Sequence, residues 1–139
     1  MYSSRQTYIE EMKGIDLMRS ASPFVIVNDV QQSVDYYQSV LGGKIKVLNK
    51  QDGRLLHAEL HLGSSHIHFS DSYGKPLKAQ HVQIILDCES EDELKQAYHA
   101  LSEKGTITVE LQDTFFGALH GEVTDHLNQI GWVMNYFKR

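Results

Sequence analysis

Leu55-Leu56-His57-Ala58-Glu59-Leu60-His61-Leu62-Gly63-Ser64-Ser65-His66-Ile67-His68-Phe69-Ser70 is the stretch that decides the fold. Side chains alternate sides along a strand, so Ala58, Leu60 and Leu62 share one face while His57, Glu59 and His61 share the other. On the returning run, Ile67 and Phe69 oppose His66, His68 and Ser70. Opposed residues of an antiparallel pair point the same way. A continuous dry face therefore needs Leu60 opposite or near Ile67, which an even loop supplies, for example a two-residue turn at Gly63-Ser64; an odd loop would need a bulge. The hairpin then has an apolar face for packing and a polar face holding four histidines, a glutamate and a serine. The polar face has two readings. It is the wet side common in antiparallel sheets, or it is a cleft of imidazole and carboxylate groups suited to proton transfer or a divalent metal.

Outward from the hairpin, the order of elements repeats. Upstream, Phe24-Val25-Ile26-Val27 has strand length, and Asn28 or Asp29 caps a helix whose stripe is Val30, Val34, Tyr37, Val40 and Leu41. Gly42-Gly43 ends it, and Lys44 to Leu48 reads as a strand. Downstream, Val82 to Leu86 is a strand, and Ser90-Glu91-Asp92-Glu93 is a capping box. Leu94, Ala97, Tyr98 and Leu101 form the buried stripe, Gly105 ends the helix, and Thr106 to Leu111 alternates as a strand. Two further strands are expected at about Phe115 to Thr124 and Trp132 to Phe137. Ser72 to Gln80, with Gly74 and Pro76, links the copies. The expected fold is α+β: two βαβββ modules, near 22–71 and 80–137, with antiparallel strands and the helices on one face, in one domain over 22–139. Residues 1–21 form an added helix or arm, with Tyr8, Ile9, Met12, Ile15 and Met18 as its stripe.

Composition excludes several classes. The 139 residues carry a net charge of −5 and no Lys/Arg cluster beyond Lys138-Arg139, which argues against a nucleic-acid partner. No apolar run has the ~20 residues that span a bilayer. Arg5, Glu10, Glu11, Lys13 and Asp16 interrupt any signal-peptide core, so a cytoplasmic location is expected. Cys88 is the single cysteine and reads as a buried or half-buried thiol.

Several spaced motifs together resemble PhnB-like proteins of the vicinal oxygen chelate superfamily, also called the glyoxalase, bleomycin-resistance and dioxygenase superfamily. They are Ser22-Pro23-Phe24, Asn28, Val34-Asp35-Tyr36-Tyr37-Gln38 and Leu41-Gly42-Gly43, then His57-Ala58-Glu59-Leu60 and Ser70-Asp71. Gln112-Asp113-Thr114-Phe115-Phe116, Gly121-Glu122-Val123-Thr124-Asp125 and Trp132-Val133-Met134-Asn135 complete the set. The resemblance implies two βαβββ modules forming a curved, partly open, barrel-like sheet around a cleft, a homodimer and, in metal-bearing members, four ligands from the first and last strands of each module. Those positions fall near Ser22, at or near His68, at His81 and near Asn135, with Glu59 or His57 open as members of a non-standard set. Only His68 and His81 are strong donors, which is short of the three protein ligands usual for a catalytic zinc. The turn Asp125 to Trp132 is one residue longer than the branch's usual pattern, with Asn128 where glycine is expected; asparagine tolerates the left-handed geometry.

Two functions follow as expectations. The first is binding of a small molecule in the cleft between the modules, lined by His57, Glu59, His68, His81, Phe115, Phe116, Trp132, Tyr136 and Asn135; the four aromatics read equally as core or dimer contacts. The second is a metal-dependent lyase, isomerase or dioxygenase-type enzyme using His68 and His81, with Glu59 or His57 as the catalytic acid–base group. A divalent metal is the cofactor this second function implies.

Overall fold

The computed structural model describes residues 20–77 and 82–138. The helix expected near Tyr8 to Met18 lies outside them, as does His81. The first module runs β1 (Phe24–Val27), α1 (Val30–Leu41), β2 (Lys44–Gln51), β3 (Arg54–Leu62) and β4 (Ser65–Asp71). The second runs β5 (Gln83–Asp87), α2 (Glu91–Ser102), β6 (Thr106–Asp113), β7 (Ala118–Thr124) and β8 (Gly131–Phe137). Each module is one open four-stranded sheet, ordered β1-β4-β3-β2 and β5-β8-β7-β6. First and last strands pair in parallel, and the other pairs are antiparallel. The repeat read from the sequence is therefore a repeat of topology, in two open sheets and not a closed barrel.

The helices begin where their caps dictate. Asp29 accepts from the Gln32 amide at 3.0 Å, and Ser90 Oγ accepts from the Glu93 amide at 3.1 Å. The Glu93 carboxylate reaches back to the Glu89 amide at 3.3 Å, so orphan donors at the helix start find acceptors. Gly42, with φ of 78°, ends α1 as expected. At the end of α2 the left-handed residue is Lys104 (φ 64°) and not Gly105. Gly105 is required for closeness instead. A Cβ there would sit 2.5 Å from the Leu101 carbonyl oxygen and 2.7 Å from that of Thr124.

Helices and sheets meet in one core. Val25, Val27, Val34, Tyr37, Leu60 and Phe69 of the first module join Leu94, Leu101, Val123, Trp132 and Met134 of the second in a single cluster. Each fully buried side chain of this size contributes ~1.5–3 kcal/mol. Tyr37 is the hinge pin of the contact between modules: its ring stacks on Phe69 at 5.2 Å and lies 5.4 Å from Trp132. Buried Asp125 accepts from Tyr37 Oη at 3.0 Å and from Trp132 Nε1 at 2.7 Å. Burial, with Asp125 alongside, pushes the Tyr37 phenol far above its ordinary range.

The long turn before β8 corrects one expectation. Its left-handed residue is Gln129 (φ 56°), one position beyond Asn128. Asn128 is used for its side chain: its amide donates to Ser33 Oγ and to Tyr37 Oη, both at 3.0 Å. The Asn128 side chain thus clasps the second module's turn onto α1.

Candidate functional site

The β3–β4 ribbon pairs Leu60 with Ile67 and Leu62 with Ser65, which leaves Gly63-Ser64 as the two-residue turn. The same register pairs His57 with Ser70, Glu59 with His68, and His61 with His66. Ala58, Leu60, Ile67 and Phe69 therefore enter the core, and five ionisable side chains collect on the opposite face. Glu59 lies at their centre and is only 8% exposed. Its Oε1 is 2.8 Å from His61 Nε2. Its Oε2 is 3.3 Å from His68 Nε2 and 3.6 Å from His66 Nε2. His57 Nε2 and His68 Nδ1 share a hydrogen bond at 2.8 Å, and Ser22 Oγ meets His66 Nε2 at 3.2 Å. Phe24 covers one side, its ring 5.5 Å from His57 and 6.0 Å from His68.

The charges follow from this geometry. The hydrogen bond from His61 lowers the Glu59 carboxyl below its ordinary value against the opposing effect of burial, and His66 and His68 add to the lowering. Burial lowers His68 below its ordinary 6.5, more than Glu59 restores. At neutral pH the face therefore presents an ionised carboxylate beside a neutral His68 imidazole, both able to accept a proton or ligate an ion.

The second module carries a smaller version. His120 Nδ1 lies 2.6 Å from Asn135 Oδ1, and His120 Nε2 lies 3.0 Å from Glu122 Oε2. Registers make the copies comparable. Phe24 and Ile85 stand equally far before the caps Asp29 and Ser90, and they pair with His68 and Val133. Glu59 faces His68 as Glu122 faces Val133. His57 and Glu59 thus correspond to His120 and Glu122, while His66 and His68 correspond to Gly131 and Val133. The groups that bias Glu59 and His68 all belong to the first module.

Between the modules, β1 and β5 border a groove of about 440 Å³, lined by Pro23, Phe24, Ile26, Val82, Ile84 and the 128–130 turn, among others. Phe24 belongs both to this groove and to the histidine face.

The structure brings together His57, Glu59 and His68 of the residues singled out from the sequence. Asn135 lies on the second patch with His120. Phe116 is 5.9 Å from His120, and Phe115 is fully exposed, because the strand expected from Phe115 begins only at Ala118. Trp132, expected on a cleft wall, is fully buried in the core. Alternation along β8 turns Trp132 and Met134 inward and Val133 and Asn135 outward. Tyr136 is half-buried and packs against the core. His61 and His66, which alternation puts on the polar face, complete this first patch, while His120 and Glu122, absent from the sequence candidates, form the second. The signal for the last two was present in Leu119-His120-Gly121-Glu122-Val123, which alternates as β3 does.

The ligand positions implied by the resemblance do not fit a metal in their described members. The Ser22 hydroxyl is engaged by His66, and the Asn135 carbonyl is engaged by His120. Both are weak neutral donors, which leaves His68 as the sole strong donor among the described members of that set.

Among curated proteins, none matches the sequence significantly. Among solved structures, a Pseudomonas aeruginosa protein is similar over 88% of this chain and 100% of its own, at 25% identity and a TM-score of 0.76. The PhnB protein of Bacillus cereus is similar over 85% and 99%, at 18% identity and a TM-score of 0.70. TioX of a Micromonospora species is similar over 86% and 100%, at 20% identity and a TM-score of 0.64. At those identities the last two speak for the fold alone. The family model of the glyoxalase/bleomycin resistance protein/dioxygenase superfamily matches residues 18–132. With that match over most of its length, and with two βαβββ modules in its structure, the chain belongs to the glyoxalase/bleomycin resistance protein/dioxygenase superfamily.

Proposed function

We propose that the protein binds a small molecule in the groove between its modules, with the polar head of the ligand on the first module's histidine face. The observation that carries this reading is the position of Phe24. It lines the groove and also packs against His57 and His68, so one ligand can meet both surfaces. A groove of about 440 Å³ suits a small organic molecule. Phe24 and Ile26, both substantially exposed, offer apolar contact. The imidazoles and the Glu59 carboxylate offer hydrogen bonds to hydroxyl, carbonyl or amine groups.

The test uses tag-free protein incubated with a small-molecule cell extract, separated by gel filtration and denatured for mass spectrometry. One species is expected at near-stoichiometric recovery, falling about tenfold in Phe24→Ala and in His68→Ala, since one lost anchoring contact of ~1.4 kcal/mol is a factor of ten. Equal recovery in wild type and both variants, or no retained species, would refute the reading.

A second reading, metal-dependent lyase, isomerase or dioxygenase-type chemistry using His68, is favoured by one further observation. Glu59, His66 and His68 present ligand atoms within 4.8 Å of one another. The homodimer implied by the resemblance has support in an exposed aromatic patch. Phe115 and Phe116 are 5.4 Å apart, and Phe137 is 6.4 Å from Phe116. Such patches mark association surfaces.

A further inference from the structure

We infer that Glu59, His66 and His68 form a site for one divalent transition-metal ion, contained wholly within the first module's β3–β4 ribbon. The inference rests on the metal-dependent reading of this face and goes beyond it by relocating the ion. The positions the superfamily resemblance implies draw on both modules; this site draws on one hairpin.

Three features carry the assignment. The first is convergence. Glu59 Oε2 is 3.3 Å from His68 Nε2 and 3.6 Å from His66 Nε2, and the three ligand atoms all lie within 4.8 Å of each other. Donors at zinc-bond lengths of about 2.0–2.1 Å around one tetrahedral ion stand roughly 3.3 Å apart. The register explains the convergence: Glu59 pairs directly with His68, and His66 stands two residues before His68 on the same face.

The second feature is the outer layer. His57 engages His68 Nδ1, so His68 Nε2 is the nitrogen left for an ion. His61 engages Glu59 Oε1, so Oε2 is the oxygen left for it. Metal-binding histidines and carboxylates are oriented by such partners. His66 exchanges its contact with Ser22 for the ion. The third feature is the ligand type. Two imidazoles and a carboxylate favour zinc or another late first-row ion over magnesium or calcium. Three protein ligands leave coordination positions open for oxygens of a small molecule lying along Phe24.

The second module serves as an internal control, because Gly131 and Val133 replace the two histidines while the His–Glu pair stays. Its patch has no third strong donor at the corresponding positions.

The test is a titration of chelator-stripped, tag-free protein with Co²⁺, followed by absorbance, and with Zn²⁺, followed by calorimetry. One ion per chain is expected. Glu59→Gln, His66→Ala and His68→Ala should each weaken binding at least tenfold, and His57→Ala and His61→Ala should weaken it less. His81→Ala and Asn135→Ala should stay within twofold of wild type. Thermal melts of the metal-free variants show which are folded, and His66→Gln replaces any that is not. Absence of one-to-one binding by wild type would overturn the site. So would loss of binding in His81→Ala with retention in His66→Ala. A small molecule retained by a protein that binds no ion overturns the site and leaves the groove reading standing. An ion bound without any retained molecule does the reverse.

Discussion

The two modules share one topology and differ on one face. In both, the middle strand sets a histidine and a glutamate two residues apart on the outer side: His57 and Glu59 in β3, His120 and Glu122 in β7. The difference lies on the returning strand. β4 carries His66 and His68 where β8 carries Gly131 and Val133. The first patch therefore surrounds a buried carboxylate with imidazoles, and the second ends at an amide, Asn135, which holds His120. Backbone register is common to both copies, so site chemistry is set by two side chains on one strand.

The comparison breaks most readily where the modules are joined. Asp125→Ala removes the shared acceptor of Tyr37 and Trp132 and also that of the Leu127 and Asn128 amides. Two buried donors left without a partner predict a loss of ~3–5 kcal/mol, measurable by urea unfolding. A loss below about 1 kcal/mol, the scale of an ordinary surface change, would show that the core alone docks the modules.

Swapping the differing residues sharpens the comparison. Gly131→His with Val133→His should give the second module its own ion site and raise the Co²⁺ stoichiometry from one to two per chain. The obstacle is small: the nearest atoms to a Cβ at Gly131 belong to the flexible Gln83 side chain, 2.9 Å away, which can swing aside. A stoichiometry that stays at one in a folded double variant would mean that register and residue type are insufficient.

The smallest effects fall on the helix starts. Asp29→Ala and Ser90→Ala each remove one cap bond and should cost about 1 kcal/mol. The double variant should come close to the sum, since distant sites add.

Much of this was legible before any tertiary structure. The alternation around Leu60 and Ile67 sorted the hairpin's faces and called for an even loop, because a one-residue slip would have put histidines into the core; the strand register places that loop at Gly63-Ser64. The caps and apolar stripes placed both helices to within a residue or two. Lys104 and Gln129 were not legible as left-handed residues, since neither is a type that prefers that geometry. For Trp132 the sequence leaves a cleft wall and the core both open. The alternation of β8 fixed its direction, and only the packing of the sheet on the helices says which direction is inward.

The sequence by itself determined the duplication, the strand faces and the helix limits, because these depend on neighbours along the chain. Which histidines share a carboxylate was decided only in three dimensions. The pairing of Glu59 with His68 brings the residues of one strand against those of another, and 3.3 Å between Glu59 Oε2 and His68 Nε2 depends on rotamers that burial and hydrogen bonding select. The clasp of Asp125 and Asn128 on Tyr37 belongs to the same class, since it joins residues 88 and 91 positions apart in the chain.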